Sequence, residues 1–340
     1  MQAGRSARSS GRWLQTCDTL EVTNAQPFVP SVFLLVPGPW ETEALLREAL
    51  ATVTLSHGTF DGGPIAADHV RFGLVHDPAG FGNALSWSRD GQRDELVGAA
   101  NNCTAAALVE IGTTLDLAVP ALRPISEALR NAGGVGVRVE SSGAAVDWPT
   151  WFAALDAETA HELVHHTTLL VANKDVSYTT GMHAFLRPDA LVHGHDPDLL
   201  SIFCGHQVVE DPALLTGHTF AAEGDQPSRA LQRWPDYRFT PDDGRYNPFG
   251  LWRMTEPGVA GLGATDPLLM IVPPLVVTLM AAEREQGSPL IKEEVEAHVA
   301  KAPATLVTAV AAIQAERARG YADIEPRLAW EQWQIVRTTR

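Results

Sequence analysis

Cysteine is scarce in this chain. Its three residues, Cys17, Cys103 and Cys204, are far apart and odd in number. That count excludes a disulfide framework, and no pair has the spacing of a zinc knuckle or redox motif, so a reducing, cytoplasmic setting is expected. Basic residues are in deficit: 25 Lys and Arg face 41 Asp and Glu over 340 residues, a formal net charge of -16. Such a chain repels phosphate backbones, and nucleic acid is not an expected partner. Long apolar runs are missing too. The one membrane candidate, LLMIVPPLVVTLM within residues 267–282, is shorter than the ~20 residues a spanning helix needs and is broken by Pro273-Pro274, so no membrane association is expected. There is no fixed-period repeat, which excludes solenoids and propellers. No phosphate loop is present, Ser141-Ser142-Gly143 lacks the first glycine of a nucleophile elbow, and Asp242-Asp243-Gly244 is too short for a calcium loop.

What remains is a chain of 45% hydrophobic and 19% charged residues, able to bury a substantial core. It alternates strand-like and helix-like segments. Structure is expected from Phe28, where VPSVFLLVPG reads as a strand covered on both faces and stopped by Gly38-Pro39. WETEALLREALATV follows as an amphipathic helix, with Leu45, Leu46, Ala49, Leu50 and Val53 on one stripe. A strand is expected at 69–76, and the Ala-rich stretch 94–117 reads as a helix broken before Pro120. A further helix over 120–131 and the strand GVGVRVE come next. WPTWFAAL starts another helix, Asp156 is the N-cap expected for AETAHELVHH, TTLLVAN reads as a strand, and MHAFL with ALVH as a hairpin bent at Pro188-Asp189. Asp196-Pro197 opens a helix with Leu199, Leu200, Phe203, Cys204 and Val208 on one face. Turn signals and aromatics fill 223–267, and the end is helical again, with Gly320 closing LVTAVAAIQAERARG and Trp330 and Trp333 at i and i+3.

The expected fold class is therefore α+β: a mixed α/β sheet domain over 28–222, after a disordered basic leader at 1–27. An aromatic-rich connection and a mostly helical C-terminal extension occupy 223–340. The leader carries Arg5, Arg8 and Arg12, which leaves the rest of the chain more acidic still.

Four segments together carry a resemblance: TTGMHAFLRPDALV (179–192), LLTGHTF (214–220), WPDYRFTPDDGRYNPFGLWR (234–253) and RGYADIEPRLAWEQWQ (319–334). They resemble a family of uncharacterised bacterial cytoplasmic proteins containing a domain of unknown function, marked by a GMH-x-F-x-x-PD element and an RGYAD-x-x-P…WEQWQ tail. The resemblance implies a strand–helix opening and a cytoplasmic location, and carries no catalytic assignment. Leu186 stands where a glycine is expected in that pattern.

The chemically most specific string is His161-Glu162-Leu163-Val164-His165. On a helix, His161 and His165 project to one side and can ligate zinc, while Glu162 acts as general base on a metal-bound water. His183 is the candidate third ligand, with His195 beside it as another. Against this, no glycine follows the string, Glu158 and Thr159 are polar where zinc-peptidase helices are buried, and a strand begins at once. The plainer readings are a short surface helix for 161–165 and a hydrogen-bonded core histidine for His183. Arg233, Arg238, Arg245 and Arg253, interleaved with Trp234, Tyr237, Phe239, Tyr246, Phe249 and Trp252, have the composition of a recognition surface or of a connection clamped on the core by its aromatics; clamping is favoured. No catalytic motif is complete. The expected function is thus a non-enzymatic accessory or binding protein, acting on an unidentified protein partner without a cofactor; the alternative is a zinc-dependent hydrolase.

Overall fold

VFLLVPG carries apolar side chains at nearly every position, and in the computed structural model it is strand β1 (Val32–Gly38), buried on both faces. The structure describes residues 30–51, 53, 59–60, 63–64, 69–87, 93–222, 227–255 and 267–338; the expected leader lies outside them. After β1 come α1 (Glu43–Leu50), the two-residue strands β2 (Thr59–Phe60) and β3 (Gly63–Pro64), then β4 (Val70–His76) and α2 (Arg93–Asn101). Next are β5 (Ala105–Ile111), α3 (Leu115–Asn131), β6 (Val137–Val139) and β7 (Ala145–Val146). The first sheet has the order β4-β5-β1-β6-β7 and is antiparallel throughout. The units β1–α1–β4 and β5–α3–β6 therefore interleave, a strand of each filling the gap in the other, as in split β-α-β folds. Alternation sorts the side chains: Val32, Leu34 and Val36 join the main core, while Leu35 turns to a smaller cluster with Phe81, Leu85, Leu96 and Ala106.

Three expectations are corrected here. Residues 105–111, expected inside a helix, form β5. Its Ala105, Ala106 and Ala107 are essentially inaccessible, packed between cores on both faces, where tertiary burial overrides alanine's helix propensity. The helix expected to break before Pro120 runs unbroken as α3 through Pro120 and Pro124. Asp116 and Pro120 lie on its exposed side, where water can take up the carbonyls that the missing proline N–H groups leave unpaired. Leu45, placed on the buried stripe of α1, is 45% exposed; Leu46 does the packing.

The second region starts with α4 (Trp148–Leu155), capped by Asp147, and α5 (Ala160–Thr167), capped by Thr159; Asp156, the expected cap, instead closes α4. Strands β8 (Leu169–Ala172), β9 (Val176–Thr180) and β10 (Asp189–His193) follow, with α6 (Pro197–Val209) capped by Asp196 as expected. Then come β11 (Thr219–Phe220), β12 (Arg229–Trp234) and β13 (Leu251–Thr255). Their sheet has the order β11-β12-β13-β10-β9-β8, with β10 and β13 its parallel pair. MHAFL is not a strand: Met182–Phe185 is a 3-10 turn, and the hairpin is β9 paired with β10. One main core joins the two sheets through α3, α4, α5 and α6, which contact each other in that order.

The last region comprises β14 (Pro267–Ile271), α7 (Leu275–Gln286), α8 (Lys292–Lys301), β15 (Ala304–Thr308), α9 (Ala309–Arg319) and α10 (Ala329–Thr338). It has its own hydrophobic cluster, built on Leu275, Leu279, Leu290, Val295 and Trp333, with Trp330 packed against it. The tail motif has a structural job. Gly320 closes α9 in the left-handed conformation, and the Asp323 carboxylate accepts the Leu275 and Val276 amides at 2.9 Å, capping α7 from across the chain. Buried Gln332 donates to the Arg233 carbonyl at 3.0 Å and accepts from the Glu325 amide at 2.8 Å. Arg317 makes a bidentate pair with Asp211, and Arg233 pairs with Glu316, so this region is stapled to β12 and the end of α6.

Candidate functional site

Residues of the segments 179–192 and 234–253 meet at the start of the parallel pair, where the turn 181–188 and the loop 235–250 converge. Asp189, the first residue of β10, is inaccessible to solvent, as is the Asp236 carboxylate. Arg238 lies between them. Its Nη2 donates to Asp189 Oδ2 at 2.8 Å and Asp236 Oδ2 at 3.0 Å, its Nε to Asp236 Oδ1 at 2.9 Å, and its Nη1 to the Thr179 carbonyl at 2.5 Å. The remaining carboxylate capacity is taken by the backbone: Met182 N donates to Asp189, and Asn247 N to Asp236. Such a fork is how a buried ion set avoids the desolvation penalty of an unpaired charge. Two carboxylates share one guanidinium, and burial together with the Asp236 charge raises Asp189 to about 6 despite Arg238.

Two backbone conformations make this convergence possible. Gly181 has φ +104°, and a Cβ there would lie 2.5 Å from Ser142 Cβ, in a contact where Thr180 Oγ1 also donates to the Ser142 carbonyl. Leu186 closes the turn with φ 57°, in the left-handed region that glycine occupies most readily.

The histidines fall in separate places. His161 and His165 lie on α5 with exposed side chains, and Glu162 between them is exposed, its amide bonded to the capping Thr159 hydroxyl. The ring of His161 lies over Gly205 of α6, close enough that a Cβ at Gly205 would sit 1.8 Å from Nδ1; His165 meets the ring of His166 edge-on. His183 sits in the 3-10 turn beside the ion set, where burial lowers it to about 4 and holds the ring neutral at physiological pH. His195 is in the connection before α6. Among the described residues, no three His, Cys, Asp or Glu side chains are grouped so as to hold a metal ion. The structure therefore leaves His161, Glu162 and His165 as a surface string, without His183 as a third donor in the same group.

The aromatic stretch is packed inward for the most part. Phe249 and Trp252 are buried, and the interleaved arginines stack on rings: Arg253 on Trp234, Arg233 on Trp252, and Arg245 on Phe239, each with its guanidinium carbon 4.5–4.8 Å from the ring centre. Tyr237 remains exposed. The Asp189–Arg238 partnership had no local sign in the sequence, since its members are 49 residues apart; only the Asp236–Arg238 pair, two residues apart, was within local reach.

Among the described residues, the most exposed large apolar side chain lies elsewhere. In the two-stranded sheet β14–β15, Leu306 is 68% exposed, and Val272 and Val310 at its ends are about half exposed. Of β15, only Val307 is even half-buried. Among the described residues no helix is long and apolar enough to cross a membrane. Comparison with known protein families, curated proteins and solved structures finds no match for this chain.

Proposed function

We propose that this chain is a cytoplasmic, non-enzymatic accessory protein that binds a protein partner through the two-stranded β14–β15 sheet. The observation that carries this reading is Leu306, a large apolar side chain left mostly in water on a strand of a two-stranded sheet. A sheet of only two strands is marginal by itself, and an exposed apolar edge strand invites a further strand or an apolar face. The segment from Ala302 to Ala315 contains no charged residue in a chain of net charge -16, so a partner can approach it without facing the chain's general negative field. Asp189, Asp236 and Arg238 are meanwhile consumed in internal pairing, as expected of a scaffold. The zinc-hydrolase alternative rests on the spacing of His161, Glu162 and His165 alone.

The test is quantitative affinity capture with the full chain, comparing wild type, Leu306→Lys and, as a control on the histidine string, Glu162→Gln. A charge on the exposed face of an edge strand is an established block to pairing and should leave folding intact. The expected result is a protein retained by wild type and Glu162→Gln but reduced at least about tenfold by Leu306→Lys, the loss of roughly 1.4 kcal/mol or more of binding. Identical capture by wild type and Leu306→Lys would refute the assignment of this surface.

A further inference from the structure

We infer that the cleft between the turn 186–188, strands β12 and β13, and helix α9 is a binding site for a carboxylate group. The cleft is lined by Arg187, Arg233, Trp252 and Arg317, with the Glu316 carboxylate held by Arg233, among apolar walls that include Leu214 and Ile313. Two of its polar residues have a donor without an acceptor. Trp252 is 3% exposed and its indole N–H is buried and unpaired; the Arg233 Nε–H is buried and unpaired as well. The Arg233 guanidinium lies over the Trp252 ring, 4.8 Å from its centre, so the two belong to one assembly. Buried donors without partners are rare in folded proteins because each forfeits the bond it made to water, and in a cleft they mark the place of a missing acceptor.

The charge count points the same way. Arg187 and Arg317 share Asp211, and Arg233 has Glu316, so three guanidinium groups are set against two carboxylates. Arg319 adds its charge to Arg233, whose guanidinium is pushed below the ordinary range by burial and then by the charges of Arg317 and Arg319. Arg187 is lowered to about 10 by burial and by Arg317. With Arg319 and with Asp116, whose charge also acts on Arg187, four guanidinium groups stand against three carboxylates, a local excess of about one positive charge in a chain of net charge -16. A single monoanionic acceptor balances it, and the two oxygens of a carboxylate can take the two unpaired N–H donors. The aliphatic walls suit a short apolar stem. A free short-chain carboxylic acid and the terminal carboxylate of a peptide both offer this chemistry, and this inference stands apart from the partner surface on β15.

The probes are sodium butyrate and a short uncharged peptide with a free carboxyl terminus, each titrated into the full ¹⁵N-labelled chain at neutral pH and constant ionic strength. The Trp252 indole N–H and Arg233 Nε–H resonances are followed, with inorganic phosphate and the amidated peptide as controls. The expected result is a saturable downfield shift of both resonances with butyrate, with the free-carboxyl peptide, or with both. Which probe saturates at the lower concentration identifies the source. Trp252→Phe keeps the ring stack and removes one donor; read at Arg233, it should weaken binding about tenfold, the worth of one hydrogen bond to a charged group. No saturable shift with either probe overturns the inference. So does an equal response to phosphate or to the amidated peptide, or binding that Trp252→Phe leaves unchanged.

Discussion

Arg238→Met is expected to cost about 3–5 kcal/mol of folding free energy, because it leaves the Asp189 and Asp236 carboxylates buried opposite an apolar side chain. Whole domains are stable by only ~5–15 kcal/mol, so this one change removes a large fraction of the total. It also withdraws the bond to the Thr179 carbonyl and frees the loop 236–247, which Arg238 ties to β9 and β10. Arg238→Lys should fall between, since an ammonium cannot reproduce a fork with four acceptors. Neutralising the carboxylates as well, in the triple variant Arg238→Met, Asp189→Asn, Asp236→Asn, should recover part of the loss, because the penalty of unpaired charge disappears. Urea unfolding of the three proteins checks the series. A loss below about 1 kcal/mol for Arg238→Met would mean that the ion set does not hold this junction.

Gly250→Ala is expected to destabilise by about 3 kcal/mol or more, well beyond the usual glycine effect. Gly250 has φ +70°, and an added Cβ would lie 2.2 Å from the Trp234 carbonyl oxygen, which is backbone and cannot swing away. Relief requires moving β13 away from β12 or from β10, whose Asp189 amide donates to the Gly250 carbonyl at 3.1 Å. Gly194→Ala is the control. It has φ +94° but open space around the new methyl, so it should show only the left-handed penalty of about 1 kcal/mol. Equal losses at the two positions would show that the close approach at Gly250 carries no weight.

Much of the fold was readable because local chemistry and tertiary packing agree along most of the chain. Asp196 and Pro197 start α6, Gly320 stops α9, and Trp330 and Trp333 share a packed face, as their residue types and spacing predict. The α+β class followed from that agreement. The failures come where burial overrides propensity. Ala105–Ala107 form a strand because small side chains fit between two packed layers, and α3 tolerates two prolines because they sit toward its exposed side. The ion set was invisible for a different reason. Its members are ordinary surface residue types until the turn at Gly181 and the loop at Gly250 bring them together, and no local period encodes an encounter across 49 residues. His183, read as more plausibly a core histidine than a ligand, does lie beside this buried set, though in a turn and not in a strand. Leu186 holds a left-handed backbone, where glycine would be the ordinary residue.

The central claim is that the Asp189–Arg238–Asp236 ion set is sealed into the scaffold and does not act on a ligand. Solvent exchange of the Arg238 Nε–H, read by NMR on ¹⁵N-arginine-labelled full-length chain at neutral pH, tests it most directly. With that proton donated to a fully buried Asp236, the resonance should be resolved and exchange orders of magnitude more slowly than an exposed arginine such as Arg47. Exchange as fast as at Arg47 would place Arg238 in contact with solvent and contradict the account.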